Sequence, residues 1–164
     1  MTLESIESKV IETLQVNRIR YRLLPHREPV FTVEQAARQR GVVKDEIVKS
    51  ILLVDKNGRY VMACVAGDTR LDLRAVRACL GRDWTRLHFA KPDEILAVTG
   101  SVQGAVAPVG LPEHLPVIFD EAIAQRSTVS ISSGDPMVGL ELDRVDLVRV
   151  AGAQSARIAE AGTR

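Results

Sequence analysis

The feature that most constrains this chain is an apolar run, Ile47-Val48-Lys49-Ser50-Ile51-Leu52-Leu53-Val54, that is interrupted by a lysine. Successive side chains of a strand point to opposite faces, and both faces of this run are apolar, which is typical of a central strand covered on both sides. An unpaired buried charge costs several kcal/mol, so a lysine here either extends its ammonium to the surface or holds it in a polar pocket. Lys49 is therefore a candidate for a charge directed into a substrate cavity. The alternative is a lysine that reaches solvent from a strand end.

Length and composition favour a single compact domain. The chain has 164 residues, of which 46% are hydrophobic, and this is enough for a sizeable core. No apolar run is long enough to span a membrane, and Glu4 and Glu7 stand where a signal peptide would be basic, so we expect a cytoplasmic protein. The net charge of +1 creates no overall field that attracts nucleic acid, so a local patch would have to bind such a partner.

The rest of the pattern predicts an α+β fold with a mixed, largely antiparallel sheet, because helices and strands are interspersed without a regular βαβ repeat. Asn57-Gly58 predicts a hairpin turn that pairs the Lys49 strand with residues 59–65. The domain is predicted to span residues 1–152, and the alanine-rich residues 153–164 are predicted to form a frayed tail. Helices are predicted over 2–17, 32–41, 72–80 and 92–100 and from 143 onward, and further strands over 19–24, 86–89, 117–119, 128–132 and 138–142.

Three arginines share one face of the first predicted strand. Arg18, Arg20 and Arg22 alternate with Ile19 and Tyr21, so their guanidinium groups are expected on solvent. This arrangement is compatible with an ordinary solvated face and with a patch that binds tRNA or phosphate, and both interpretations stay open.

The second informative segment is the uncharged stretch from Thr99 to Pro112. Glycines at 100, 104 and 110 allow the backbone to approach another group, and prolines at 108 and 112 stiffen the path. Such a loop can present backbone N–H groups instead of side chains. It is not a Walker loop, because no Gly-Lys-Ser/Thr sequence follows. The alternative interpretation is a series of tight turns.

Conventional catalytic sets do not assemble from the remaining residues. His26, His88 and His114 are scattered, and GxSxG, HExxH and CxxC motifs are absent from the sequence. Cys64 and Cys79 lie in apolar segments and are expected to be core thiols. We expect no metal and no cofactor. Chemistry at Lys49 would rely on positioning and electrostatics, which suits a reactive ester.

Five segments occur in a diagnostic order: Phe31 to Ala37, Ile47 to Leu52, Thr99-Gly100 through Gly104 to Pro108, Phe119-Asp120-Glu121, and Ser133-Gly134. Together they resemble the YbaK-type aminoacyl-tRNA editing family, the free-standing relatives of the editing insertion in bacterial prolyl-tRNA synthetase. The resemblance extends from about Val30 to Val150. Its most specific parts are the lysine strand and the GxxxP loop, whereas Asp135-Pro136 replaces a basic residue that often follows the last glycine.

The resemblance implies a barrel-like sheet surrounded by helices and a hydrolase that cleaves the ester of mischarged tRNA in trans. It implies catalytic roles for Lys49, which would contact the tRNA 3′ end near the ester, and for Gly104, in the loop that binds the aminoacyl group and positions water. The implied partners are the 3′ aminoacyl end of mischarged tRNA and an aminoacyl-tRNA synthetase, with no membrane and with the oligomeric state open. The further substrate-binding residues it implies are Phe31, Thr32, Gly100, Ala105, Val106, Ala107, Pro108, Ser133 and Gly134.

Two other functions compete with this one. A non-catalytic module could use the same pocket to hold an aminoacyl-adenylate or a nucleotide. A structural interaction domain without a pocket would require Lys49 to be exposed. Members of the family differ in the amino acid that they remove, chiefly alanine or cysteine, and the sequence leaves the amino acid and the tRNA open.

Overall fold

The computed structural model describes residues 6–162, which form two β-sheets with helices around them. The helices are α1 (Lys9–Val16), α2 (Val33–Arg40), α3 (Leu73–Leu80), α4 (Pro92–Thr99) and α5 (Arg144–Ala151). The strands are β1 (Tyr21–Pro25), β2 (Val48–Val54), β3 (Tyr60–Ala66), β4 (His88–Phe89), β5 (Val117–Asp120), β6 (Thr128–Asp135), β7 (Val138–Asp143) and β8 (Gln154–Ala156). None of the helices in this range has the length and hydrophobicity needed to cross a bilayer.

The larger sheet has five strands in the order β4-β2-β3-β5-β8. Strand β2 runs antiparallel to β3 and β4, whereas β5 runs parallel to β3 and β8. The β2–β3 hairpin turns at Asn57-Gly58, as predicted, and Gly58 adopts a φ of 79°, which glycine accommodates without steric cost. Both faces of β2 are covered. Its even-numbered apolar residues pack in the core between the sheets, and its odd-numbered ones pack in a second cluster beneath α3.

The smaller sheet has three antiparallel strands in the order β1-β7-β6. Its apolar side chains, including Ile131 and Leu140, share a core with Leu52 and Met62 of the larger sheet. A parallel bridge between Ile47 and Ser130 joins the two sheets at the start of β2. The predicted α+β fold with a mixed, largely antiparallel sheet is confirmed.

A pair of acidic side chains lies beside this bridge. The carboxyl groups of Glu46 and Glu141 are neighbours, and Arg22 donates to Glu141 over 2.8 Å. Burial, together with the neighbouring Glu141, raises the pKa of Glu46 to about 7. The neighbouring Glu46 carboxyl group and then the Arg22 guanidinium lower the pKa of Glu141. At neutral pH the junction between the sheets therefore contains a carboxyl group close to its point of half-protonation.

The first two helices begin at side-chain caps. Thr32 accepts a hydrogen bond from the Gln35 N–H at the start of α2, and Gly41 ends the helix in the left-handed region, both as predicted. The Gln35 side chain accepts from the Phe31 N–H, one residue earlier than in a standard capping box. Helix α1 begins after its cap Ser8, later than predicted, and positions 2–5 of the predicted helix lie outside the described residues.

The prediction of a frayed tail over 153–164 is wrong for residues 154–159, which are ordered. Gln154–Ala156 form β8 against β5, and the Asp120 carboxylate accepts hydrogen bonds of 2.9 Å from both the Ile158 and the Ala159 N–H groups. Ile158 is fully buried. The strand is too short and too polar to give a periodic signal, and its order depends on a carboxylate that is distant in sequence.

Candidate functional site

A cavity of about 310 Å³ lies along the first half of β2. The edge strand β4 pairs with β2 at Leu53 and Val54, so the edge of β2 is uncovered between this pairing and the bridge of Ile47 to Ser130. The start of α2 and the loop after α4 close the space. The residues that line it are Val30, Phe31, Thr32, Val33, Ala36, Arg40, Ile47, Val48, Lys49, Ser50, Ile51, Leu52, Phe89, Ala90, Ile95, Gln103, Gly104, Val106 and Ser132.

The uncovered edge of β2 directs backbone groups toward the cavity. The Leu52 carbonyl accepts from the Ala90 N–H on the β4 side, whereas the Ile47 carbonyl accepts from Gly67 on the β3 side. Backbone groups alternate between the two sides of a strand in this way, so Ser50 directs its N–H and C=O to the same side as Leu52. A ligand beside Lys49 therefore meets a backbone donor and acceptor as well as a charge.

Lys49 is half-buried in the wall of this cavity. Burial lowers the pKa of its ammonium, and the charge of Asp68 offsets part of that effect. Asp68 itself forms an ion pair with Lys44 over 3.5 Å. This position does not meet the requirement of the interaction-domain alternative, which needs an exposed lysine.

The loop after α4 brings Gly104 and Val106 to the cavity. Gly104 has a φ of 94°, and a Cβ there would lie 3.3 Å from the Val30 carbonyl oxygen, so both its conformation and its surroundings favour glycine. The Ala105 N–H donates to the Val102 carbonyl over 3.0 Å and is thereby occupied. The loop residues at the cavity are Gln103, Gly104 and Val106, so a backbone N–H group that this loop offers to a ligand comes from one of these three. Behind them, Ala105, Ala107 and Pro108 are buried and hold the loop in place.

The other residues implied by the family resemblance divide into two groups. Phe31 and Thr32 line the cavity. Gly100 instead ends α4 in the left-handed region, outside the lining. Ser133 and Gly134 pack against α1, where the Ser8 hydroxyl donates to the Ser133 carbonyl. From that segment the neighbouring Ser132 reaches the cavity.

Arg40 is a cavity residue that the sequence did not reveal. Its Nε donates to His26 Nε2 over 3.0 Å, and one terminal nitrogen donates to the Ser130 hydroxyl over 3.2 Å. Burial lowers the pKa of the guanidinium to about 10. Arg40 lies against Gly139 of β7, where any Cβ would collide with it. No local signal predicts this burial, because Arg40 follows polar residues on α2 and its space is created 99 residues later in the chain.

His26 supports this arginine as a neutral ring. Because the Arg40 Nε–H donates to Nε2, the proton of the imidazole is assigned to Nδ1, which donates to the Pro136 carbonyl over 3.0 Å. Burial is the main cause that lowers the pKa of His26, and the Arg40 charge adds to it. The histidine therefore positions Arg40 and does not add a second positive charge.

The charged side chains of the cavity wall are all positive among the described residues. Lys49 and Arg40 are its charged residues, and the lining contains no carboxylate among the described residues. Within residues 6–162, no group of three His, Cys, Asp or Glu side chains lies close enough together to hold a metal ion. The arrangement suits an anionic or strongly polar ligand whose oxygen atoms accept hydrogen bonds.

Comparisons of the sequence with known proteins find aminoacyl-tRNA editing proteins and proline–tRNA ligases. Residues 27–150 match the model of the aminoacyl-tRNA editing domain. The prolyl-tRNA editing protein ProX of Acetoanaerobium sticklandii is 31% identical over 149 residues, which are 88% of this chain and 89% of that protein. The proline–tRNA ligase of Trichlorobacter lovleyi is 33% identical over 104 residues, but these are 63% of this chain and only 18% of the ligase.

Two solved structures share the whole architecture. The hypothetical protein APE2540 has a TM-score of 0.83 at 30% identity, with 93% of this chain and 100% of that chain covered. A candidate trans-editing enzyme for prolyl tRNA synthetase has a TM-score of 0.80 at 28% identity, with 96% of this chain and 100% of that chain covered. The similarity therefore extends over both sheets and the helices around them.

Proposed function

This chain belongs to the aminoacyl-tRNA editing domain family, and we propose on that premise that it is a hydrolase that removes the amino acid from mischarged tRNA in trans. The observation that carries the proposal is Lys49, half-buried in a cavity that has two cations, no carboxylate among its described lining residues and a glycine loop at its edge. The names of its relatives point to tRNA that is charged by proline–tRNA ligase as the first substrate to test.

Lys49 binds the phosphate or ribose at the 3′ end of the tRNA. A charge in a partly desolvated cavity interacts with an anion more strongly than it would in bulk water. The burial that lowers its pKa indicates that a ligand anion would restore favourable surroundings to the ammonium. Arg40 adds a second positive charge to the same wall, fixed by His26 and Ser130.

The chemistry needs little beyond positioning, because an aminoacyl ester is intrinsically labile. The N–H groups of Gly104 and Val106 polarise the ester carbonyl, and a bound water adds to the carbonyl carbon. The bond from that carbon to the ribose oxygen then breaks, the ribose oxygen takes a proton, and the amino acid leaves as a free acid. The described lining contains neither a carboxylate nor a histidine that could act as a strong base, so the vicinal hydroxyl of the tRNA ribose assists the proton transfer.

The proposed reaction implies where the enzyme acts and which protein supplies its substrate. The enzyme acts in the cytoplasm, where charged tRNA is formed, and it meets its substrate after release from an aminoacyl-tRNA synthetase. The non-catalytic alternative predicts binding of an aminoacyl-adenylate or a nucleotide without release of an amino acid. Turnover therefore separates the two functions.

The decisive experiment is a deacylation screen of tRNA that carries alanine, cysteine, serine or proline, with wild-type protein, Lys49→Met and Lys56→Met. We expect Lys49→Met to lower turnover by about a hundredfold, the scale of a lost transition-state contact. Its stability should be unchanged or slightly raised, because methionine needs no charge desolvated. Lys56 is an exposed lysine at the β2–β3 turn, so its variant controls for the loss of a positive charge. Wild-type turnover in folded Lys49→Met would overturn the role of this lysine.

A further inference from the structure

Two phenylalanines at the cavity keep most of their surface in solvent. Phe31 is 77% exposed and Phe89 is 59% exposed, although both line the cavity that contains Lys49. Phe119, the third phenylalanine of the chain, is buried in the core. Exposed aromatic side chains that cluster at a single site usually mark a binding surface, whereas scattered exposed aliphatic residues are ordinary.

Local structure does not account for the exposed ring of Phe31. It stands just before the cap of α2, a position from which an apolar side chain often packs onto the first turns of the helix. Only its backbone has such a role, because the Phe31 N–H donates to the Gln35 side chain over 2.8 Å. The ring itself lies near Gly104, where a Cβ would be 3.9 Å from Phe31 Cδ1. Phe31 therefore stands beside the loop that would hold the ester.

Phe89 occupies a comparable position on the other wall. It is paired with Leu53, and directly paired residues of antiparallel strands point to the same face. Lys49 lies on that face of β2 too, four residues before Leu53, or roughly 13 Å along the strand at about 3.3 Å per residue. Phe89 thus projects from the same face as the cation, at a distance that the one or two nucleotides next to the ester can span.

We propose that Phe31 and Phe89 form a stacking surface for the unpaired bases at the 3′ end of the tRNA. The inference rests on the proposed function and adds to it the groups that hold the nucleotide part of the substrate. Sites for single-stranded nucleic acid combine cations along the backbone with aromatic rings under the bases. This cavity has both, with Lys49 and Arg40 as the cations. Stacking on an aromatic ring does not read the base sequence. Such a surface would therefore bind the 3′ end of a tRNA without selecting one tRNA over another.

The test uses a hairpin RNA that has the unpaired 3′ end of tRNA, with 2-aminopurine in place of the terminal adenine. The fluorescence of 2-aminopurine falls when this base stacks on an aromatic ring. Phe31→Leu and Phe89→Leu remove each ring but keep an apolar side chain, and Phe→Tyr at either position keeps the ring. Val145→Ala is the control, because Val145 is 58% exposed and lies outside the cavity lining.

We expect each leucine variant to bind the hairpin roughly 5- to 150-fold more weakly, the range that corresponds to one stacked base, and to lose part of the quenching. The tyrosine variants and Val145→Ala should bind like the wild type. In deacylation of mischarged tRNA the leucine variants should raise KM more than they lower kcat, because the rings hold the nucleotides and not the ester.

The outcomes separate the two proposals. If the wild type releases amino acids while both leucine variants retain full affinity and quenching, the stacking surface is wrong and the hydrolase stands. If the wild type binds and quenches the hairpin but hydrolyses no ester, the hydrolase is wrong and the stacking surface stands. If the leucine substitutions instead convert a dimer into a monomer in sedimentation, with RNA affinity unchanged, the rings belong to an interface between copies and the proposal is overturned.

Discussion

The substitution Gly104→Ala should lower the deacylation rate as well as the stability, whereas a glycine substitution of equal strain away from the cavity should lower the stability alone. At a φ of 94°, an alanine costs about 1–3 kcal/mol, because its Cβ crowds the backbone in the left-handed region. The added methyl would also lie 3.3 Å from the Val30 carbonyl oxygen, so the loop must shift by a few tenths of an ångström. That shift moves the N–H groups of Gly104 and Val106 relative to the ester. A displacement approaching 1 Å can cost about a hundredfold in rate, so we expect a loss of roughly 10- to 100-fold.

Gly58→Ala is the matched control for this change. Gly58 also has a positive φ, of 79°, but a Cβ there meets nothing within 4 Å, and the turn lies outside the cavity lining. Both variants should therefore lose a similar free energy of unfolding from backbone strain alone. Only Gly104→Ala should lose activity.

The assay pairs urea denaturation of both variants with single-turnover deacylation, with enzyme in excess over mischarged tRNA. Single-turnover conditions report the bond-breaking step and leave product release out. A folded Gly104→Ala with the wild-type rate would refute the catalytic role of the loop. Equal losses of rate in the two variants would show that the effect arises from general destabilisation.

Two further substitutions test the surroundings of the cavity. Gly139→Ala should displace Arg40 and break its hydrogen bonds to His26 and Ser130, which lowers stability by about 1–3 kcal/mol. In an Arg40→Ala background, which removes the atoms that the new Cβ meets, the same change should cost much less in urea denaturation. An equal cost in both backgrounds would contradict the contact. Folding raises the pKa of the Glu46 carboxyl group from 4.5 to about 7. The folded state therefore favours the protonated carboxyl group. Its contribution to the free energy of unfolding is complete below pH 4.5 and is lost as the pH rises through 7. Glu46→Gln should therefore be about 1–2 kcal/mol more stable than the wild type at pH 8 and nearly equal at pH 5, and no difference between the two pH values would refute the shift.

Local signals in the sequence predicted much of the scaffold. The alternation in β2 identified a strand with two covered faces, and the turn at Asn57-Gly58 identified its partner. The caps of α2 at Thr32 and Gly41 were equally local. Each of these features depends on residues a few positions apart, for which propensity and spacing carry the information.

The features that were missed depend on contacts between distant segments. Arg40 resembles any polar residue of a surface helix until Gly139 provides the space for it. The exposure of Phe89 follows from its place on a strand of two residues, which no periodicity defines. Ser133 belonged to the family pattern, yet the structure places it against Ser8 and not at the cavity. The sequence thus indicated the position of the lysine, whereas tertiary packing decided most of its neighbours.

The shortness of the two outer strands of the five-stranded sheet limits the places at which a second molecule could add a strand. Open sheet edges attract the strands of other molecules, and long apolar edges promote aggregation. Here the outer strands are β4, with two residues, and β8, with three residues, so neither is itself an extended row of unpaired backbone groups. The part of β2 beyond β4 lies in the cavity that α2 and the loop after α4 close. The family match ends at residue 150, before β8 begins. A chain cut at that limit would expose the longer, fully buried β5 as an edge and should self-associate.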